Sequence, residues 1–200
     1  MKHNKFLHSG HSFKHQKPDK LYRPASVFVH CIGCNQKQDK LIFKEDDDSF
    51  FLDVKLSKDC THVFISSNSK DTSEIHAIDL RVTSPLTPKI VLIQERVNGV
   101  RYFIDHAADQ YYLATNCDRA HNFKLMTAKD REVRETKLIS RPFSNSLIWK
   151  EIIPHNPLMS IEDVDVLKVI GFILFSDHFA EFEQLNFNAK CLNRIISCVM

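Results

Sequence analysis

The sequence predicts an all-β fold made of four-stranded units that recur along the chain. Apolar residues alternate with polar ones and are rich in Val, Ile, Phe, Tyr and Thr, a pattern typical of half-buried strands. Two cycles of four such segments follow one another with the same order of long and short connections. A four-stranded repeat with a period of about 50 residues is typical of a β-propeller, in which each sheet is one blade.

The first complete cycle lies between residues 50 and 94. A turn at residues 57–59, with the sequence Ser-Lys-Asp, separates its first two predicted strands. The four predicted strands are Phe50–Leu56, a segment containing Val63 and Ile65, a segment containing Ile75 and Ala77, and "IVLIQ" at 90–94.

The second complete cycle repeats the same order between residues 100 and 153. Its first turn is at Ala108 and Asp109, and a charged loop precedes its last strand. The four predicted strands are "VRYFIDHA" at 100–107, "QYYLATN" at 110–116, "NFKLMTA" at 122–128 and "LIWKEII" at 147–153.

Shorter pieces of the same repeat flank these two cycles. "SVFVHCI" and "KLIFK" are predicted to be the last two strands of an earlier blade, and "VDVLKVI" with "GFILFSD" the start of a later one. We therefore predict a partial β-propeller of two complete four-stranded blades plus parts of two more over residues 24–186. Residues 1–23 are predicted to be a basic, His-rich disordered tail, and residues 187–200 a divergent C-terminal tail. A β-sandwich is the alternative, but it does not require the second half to repeat the first.

The composition favours a folded protein without a nucleic-acid or membrane partner. The 200 residues are 43% hydrophobic and carry a net charge of only +2. The longest uncharged apolar run, Val169 to Phe175, is far shorter than the roughly 18 residues needed to cross a bilayer. The basic first segment lacks a signal-peptide core; a mitochondrial presequence is the alternative to a disordered tail. We expect six reduced thiols and a cytoplasmic location.

Several ordered motifs resemble the propeller domain of the prolyl oligopeptidase family of serine peptidases, nearest to its oligopeptidase B and prolyl endopeptidase-like branches. The resemblance covers residues 24–175. It is carried by "EDDDSFFLDVKLSKDCTHVFISSNSKDTSEIHAID", "ERVNGVRYFIDHAADQYYLATNCDRAHNFKLM", "WKEIIPHN" and "IEDVDVLKV".

The resemblance implies a two-domain parent enzyme. In that family the propeller covers an α/β-hydrolase domain and restricts access to short peptides, while a Ser, Asp and His triad performs the hydrolysis. The glycines of this chain, Gly10, Gly33, Gly99 and Gly171, form no G-x-S-x-G elbow around a serine. We therefore predict no catalytic residues and no cofactor in this chain, and the substrate-binding residues remain unassigned.

Both ends of the chain depart from the family pattern. Residues 1–23 match no motif of the family, and "SDHFAEFEQLNFNAKCLNRIISCVM" follows "GFILF" without the expected glycine. We expect a truncated isoform or fragment whose partner is the parent's own hydrolase domain. The alternative is a noncatalytic interaction module that takes its missing blades from a partner or associates with itself through exposed blade edges. The downstream coding sequence distinguishes the two.

Candidate metal and thiol sites are weak at the sequence level, and no metal site is predicted. Cys31 and Cys34 form a C-x-x-C, but a zinc site needs a second ligand pair, for which Cys60 and His62 are an irregular candidate. Clustered imidazoles in a tail would bind metal without selectivity. These imidazoles belong to His3, His8, His11 and His15.

Polar and aromatic residues along the strands are interpreted mainly as structural. The pairs Asp105–His106 and Asp177–His178 have the composition of acid–base pairs, but neighbours on a strand point to opposite faces. We therefore expect them to be polar residues at strand ends that face solvent. The acidic run Glu45–Asp48 is interpreted as a solvated loop, with attraction of a basic peptide as the alternative. Aromatic residues are expected to pack between blades rather than to line a ligand site. They are Tyr102, Tyr111, Tyr112, Phe123 and Trp149.

Overall fold

The computed structural model consists of antiparallel sheets in which each strand pairs with the next strand along the chain. Its described strands form three four-stranded sheets and one two-stranded sheet. The residues that the structure describes are 6–8, 11–15, 24–84, 87–135, 148–161, 164–167 and 172–174.

The first sheet has four strands, whereas the sequence predicts only its last two. The strands are β1 (Phe6–His8), β2 (His11–His15), β3 (Ser26–Cys31) and β4 (Lys40–Lys44). The prediction of a disordered tail is therefore wrong at β1 and β2, which pair with each other and, through β2, with β3. Alternation is easy to miss in strands of three and five residues, whose backbone hydrogen bonds come from the pairing of β1 with β2 and of β2 with β3. A 3₁₀-helix, Gln36–Gln38, connects β3 to β4.

The second sheet contains the four strands predicted for the first complete cycle. They are β5 (Phe51–Leu56), β6 (His62–Asn68), β7 (Ser73–Asp79) and β8 (Val91–Gln94). The central strands β6 and β7 pair in continuous register from His62 opposite Asp79 to Asn68 opposite Ser73. The register shifts only between Ile75 and His76, where β7 pairs with β8.

The third sheet repeats this arrangement with one added element. Its strands are β9 (Tyr102–Ala107), β10 (Gln110–Thr115), β11 (Lys124–Lys129) and β12 (Lys150–Ile153). Part of the predicted charged loop after β11 is a short helix, α1 (Asp130–Glu135). Ala108 and Asp109 both have positive φ, at 51° and 58°. This is the backbone of a two-residue hairpin turn whose twist matches the strands it joins.

The fourth sheet is described as two paired strands, β13 (Asp165–Leu167) and β14 (Phe172–Leu174). These strands fall within the segments predicted to open a later blade. The predicted tail at 187–200 and the Asp177–His178 pair lie outside the described residues.

The apolar side chains of one strand face two different neighbouring sheets. In β6, Val63 and Ile65 pack with Val27 of the first sheet, whereas Phe64 packs with Leu113 and the rest of a cluster shared with the third sheet. This is the period-two alternation expected of a strand buried on both faces. The same alternation places Ala114 in a cluster with Val164, next to the fourth sheet.

The sheets therefore stack face to face, and each interface is a separate apolar core. The predicted fold class, an all-β partial β-propeller, is confirmed. The predicted packing role of the aromatic residues is confirmed as well. Tyr102, Tyr111 and Trp149 are buried between the second and third sheets, and Tyr112 and Phe123 pack against the next cluster. Within the described residues, no helix has the length and apolar character needed to cross a membrane.

Truncating Leu113 to alanine should destabilise the protein by about 2–5 kcal/mol, because the side chain is fully buried between two sheets. Leu158→Ala is the matched control, since Leu158 is 90% exposed, and its effect should stay within about 0.5 kcal/mol. Urea unfolding of both variants measures the difference. Equal unfolding midpoints would contradict the interface described here.

Candidate functional site

A buried polar cluster lies between the second and third sheets, beside their shared apolar core. We call it the interblade cluster. It takes residues from the turn before β6, the first residue of β6, the end of β7, the penultimate residue of β9 and the start of α1. Its members are Asp59, Thr61, His62, Asp79, Arg81, His106 and Asp130.

Asp59 organises the first half of the cluster. Its carboxylate accepts hydrogen bonds from the hydroxyls of Ser57 and Thr61, each at 2.7 Å, and from the Thr61 backbone N–H at 3.1 Å. Its second oxygen lies 2.8 Å from Nδ1 of His106, across the interface. Burial opposes ionisation of Asp59, but these donors together with His106 lower its pKa to about 2. Asp59 is therefore a fixed negative charge beside the His106 ring.

Thr61 links the two histidines. Its Oγ1 lies 2.8 Å from Nδ1 of His62 and 3.1 Å from Nδ1 of His106. Because the Thr61 hydroxyl proton is donated to Asp59, this oxygen accepts from both rings. Both imidazoles thus carry their proton on Nδ1, with their centroids 4.0 Å apart. Burial and the neighbouring His106 lower the pKa of His62 to about 4, against the opposing effect of Asp79 and Asp130, so His62 is neutral at pH 7.

Arg81 neutralises the second half of the cluster. It binds Asp79 through two hydrogen bonds of 2.9 Å, and it also donates to Asp130 and, at 2.8 Å, to Asp109. Arg134 adds a second guanidinium 3.2 Å from Asp79. Although burial opposes ionisation of Asp79, hydrogen bonds from Arg81 hold the pKa of that carboxyl below its usual range. Fork-shaped pairing of this kind fixes geometry as well as charge.

The interblade cluster contains the elements of acid–base chemistry but in an enclosed place. His62 and His106 are fully buried, and Tyr111 contacts both rings edge-on, with centroids 5.3 and 4.9 Å away. An acid–base pair needs to touch its substrate. The role of the interblade cluster in this chain is therefore to join the two sheets and balance their buried charges, and not to bind a substrate.

A smaller polar contact joins the first two sheets. Arg96 stacks over the Phe50 ring at 3.6 Å and binds Glu45 at 2.7 Å, and Ser67 also donates to Glu45. The interpretation of the acidic run as a solvated loop is therefore wrong for Glu45, whose side chain is 7% exposed. Asp46 and Asp47 are exposed, and Asp46 pairs with Lys44.

The thiol candidates do not converge on a common site. Cys31 and Cys34 flank a turn closed by a 3.0 Å backbone hydrogen bond, in which Gly33 adopts φ +88°. Contact with Cys34 raises the pKa of the Cys31 thiol, which disfavours the reactive thiolate. Cys60 is exposed, while its neighbour His62 is buried.

The histidines of the first segment and the Asp105–His106 pair are the remaining sequence candidates. Among the four tail histidines, His3 lies outside the described residues, and His8 and His11 are cross-strand partners in β1 and β2. The expectation that Asp105 and His106 face solvent is wrong, because both are fully buried. Their side chains contact different groups: Asp105 accepts the backbone N–H of Lys58 at 3.1 Å and that of His106 at 2.8 Å, while the His106 ring faces Asp59.

Sequence reasoning missed the convergence of His62, Asp79, His106 and Asp130. A signal for it does exist. His62 opens β6 opposite Asp79 at the end of β7, and His106 lies near the end of β9 as Asp130 follows the end of β11. In an antiparallel meander, the start of one strand and the end of the next lie at the same end of the sheet. Aligning the two cycles by strand ends would therefore have brought these residues together.

Four-stranded antiparallel meanders that stack face to face are typical of a β-propeller domain, here seen in part. The sequence matches the family described as the prolyl oligopeptidase N-terminal β-propeller domain over residues 3–176. The chain therefore belongs to the prolyl oligopeptidase family and corresponds to its N-terminal propeller. The match begins at residue 3, which agrees with the presence of β1 and β2 in the first sheet.

Individual relatives agree with this assignment. The chain is 40% identical to protease 2 of Moraxella lacunata over 108 residues, and 35% identical to prolyl endopeptidase-like of Gallus gallus over 123 residues. These matches cover 54% and 58% of this chain but only 15% and 16% of the two relatives. The structure is similar to that of oligopeptidase B from Trypanosoma brucei with covalently bound antipain, with a TM-score of 0.72 and 26% identity. That match covers 86% of this chain and 22% of the other.

Removing the Arg81 guanidinium should destabilise the fold by more than about 2 kcal/mol, because it leaves the buried carboxylates of Asp79 and Asp130 less compensated. Arg131→Ala is the matched control, since Arg131 pairs with Glu135 on the exposed face of α1. The control should change stability by no more than about 0.5 kcal/mol. Chemical unfolding of Arg81→Ala and Arg131→Ala compares them, and equal losses would show that Arg81 is only a surface ion pair.

Proposed function

We propose that this chain is the gating propeller of a prolyl-oligopeptidase-like serine peptidase. In this proposal the parent protein hydrolyses short peptides with a Ser, Asp and His triad in an α/β-hydrolase domain outside these residues. The propeller packs on that domain and limits which substrates reach the triad. The proposal extends the established family membership to an activity, a substrate class and a partner domain.

The family match over residues 3–176, which covers the whole set of stacked sheets, is the observation that carries this proposal. Relatives named protease 2 and oligopeptidase B give additional support for a peptidase parent. The sheets themselves suit a gating role. Their apolar interfaces make a stiff scaffold, and polar contacts also join the first sheet to the second and the second to the third.

The same proposal includes a cytoplasmic location, which is supported by the free thiols at Cys31, Cys34, Cys60 and Cys117. It includes no nucleic-acid or membrane partner, in line with the net charge of +2. Exposed Asp46 and Asp47 lie in the loop that joins β4 to β5, but ion pairs with Lys44 and, at 3.9 Å, with Arg96 reduce their capacity to attract a basic peptide.

The propeller of a serine peptidase should be recovered attached to a reactive serine. We expect an antibody raised against residues 24–176 to isolate, from the source organism, a polypeptide that a fluorophosphonate probe labels and that cleaves a short fluorogenic peptide. Such probes react with activated serine nucleophiles. The recombinant 200-residue chain is the control, and it should neither react with the probe nor cleave the peptide.

Recovery of an unlabelled polypeptide without peptidase activity would contradict the proposal. It would favour the second candidate function, a noncatalytic interaction module. Proteins co-isolated with such a module, or a second copy of the chain in the same complex, would then identify what completes its blades.

A further inference from the structure

We propose that His62, His106 and Asp130 bind one divalent transition-metal ion, best matched by zinc, between the second and third sheets. The proposal is independent of the peptidase assignment, because it rests only on side chains within the interblade cluster. It replaces the prediction from the sequence that the chain holds no metal.

The hydrogen bonds on one side of the two imidazoles determine what lies on the other side. Nδ1–H of His106 is directed to Asp59 and Thr61, and Nδ1–H of His62 is directed to Thr61. In a neutral imidazole the second nitrogen then carries a lone pair. Neither Nε2 atom has a hydrogen-bond partner, and in a neutral ring such a nitrogen is free to bind a metal ion.

These two nitrogens face a carboxylate rather than a donor. Nε2 of His62 lies 3.9 Å from Oδ1 of Asp130, and Nε2 of His106 lies 3.9 Å from Oδ2 of the same residue. All three residues have fully buried side chains, and His62 Nε2, His106 Nε2 and Asp130 Oδ1 have no hydrogen-bond partner. Buried acceptors that face one another are unfavourable unless something positive lies between them.

A cation satisfies this set of acceptors better than a water molecule does. A water donates only two hydrogen bonds, whereas three buried acceptor atoms lack a partner here: His62 Nε2, His106 Nε2 and Asp130 Oδ1. Charge points in the same direction. The carboxylates of Asp59, Asp79 and Asp130 outnumber the guanidiniums of Arg81 and Arg134 by one.

The chemistry of the donors selects the kind of ion. Two imidazole nitrogens with carboxylate oxygens are a typical donor set for zinc, with bonds of about 2.0–2.2 Å. A tetrahedral site with such bonds places its ligand atoms about 3.4 Å apart, so the gap of 3.9 Å between each Nε2 and its nearer Asp130 oxygen, Oδ1 for His62 and Oδ2 for His106, closes by about 0.5 Å on binding. Asp59 completes the arrangement, since metal-binding imidazoles usually donate their other N–H to a carboxylate.

The ion would connect two blades. His62 begins β6 in the second sheet, whereas His106 is the penultimate residue of β9 and Asp130 opens α1 on the third sheet. An ion that binds residues of both sheets stabilises their folded arrangement over the unfolded chain. Its expected role is structural, because the ligands are enclosed.

Zinc titration of the purified, chelator-treated 200-residue chain tests the proposal. We expect about one zinc per chain after dialysis, measured by mass spectrometry of the metal, and a higher unfolding temperature with zinc than without it. Cobalt should give the visible absorption of a tetrahedral site without a thiolate charge-transfer band. That band would instead place the ion at cysteine thiolates and would overturn the proposal.

Substitutions identify the ligands. His62→Gln removes one ligand and leaves the Arg81 ion pairs in place, so it should fold and lose zinc affinity by at least about tenfold. Asp59→Asn should weaken affinity by about 10–100-fold through the orientation of His106. His121→Gln is the matched control, because that side chain is exposed, and it should bind as the unchanged chain does.

A second control replaces the tail imidazoles with asparagine at His3, His8, His11 and His15 and should retain the zinc. The proposal is overturned if the unchanged chain holds no zinc after dialysis. It is also overturned if His62→Gln, folded by circular dichroism, retains zinc with unchanged affinity.

Discussion

Burial of both faces of each four-stranded sheet against its neighbours is the constraint on which the rest of the structure depends. Val63 and Ile65 point to one neighbour and Phe64 to the other, so β6 is stable only with a sheet on each side. The remaining features follow from this stacking. Stacking places the hairpin turns of neighbouring sheets side by side, so that polar residues at the strand ends lie opposite one another. The interblade cluster forms in this way between the second and third sheets.

The polar contacts give these interfaces specificity that apolar packing alone lacks. Apolar faces alone would allow the sheets to slide past each other. The hydrogen bonds among the Asp59 carboxylate, the Thr61 hydroxyl and the rings of His62 and His106 form in only one relative position of the two sheets. Arg81 does the same for Asp79 and Asp130. The Nε2 atoms of His62 and His106, which face the Asp130 carboxylate, are the part of the interface that a bound cation would complete.

Much of the fold follows from the sequence alone, because period-two alternation is strong in strands that are buried on both faces. The strands of the second and third sheets were predictable for this reason, as was the packing of Tyr111 and Trp149. β1 and β2 were not, since Phe6–His8 and His11–His15 are only three and five residues long and depend on the pairing of β1 with β2 and of β2 with β3. The interblade cluster was missed because its members are distant in sequence: Asp59 and His106 meet only once two sheets are stacked.

A double-mutant cycle on Phe64 and Tyr111 tests the stacking of the second and third sheets most directly. The two rings belong to different sheets and lie edge to face, with centroids 6.3 Å apart. Measured by urea unfolding of Phe64→Ala, Tyr111→Ala and the double variant, the coupling energy should be at least about 0.5 kcal/mol. Additive losses, with a coupling energy near zero, would mean that these sheets do not pack against each other and would contradict the propeller arrangement.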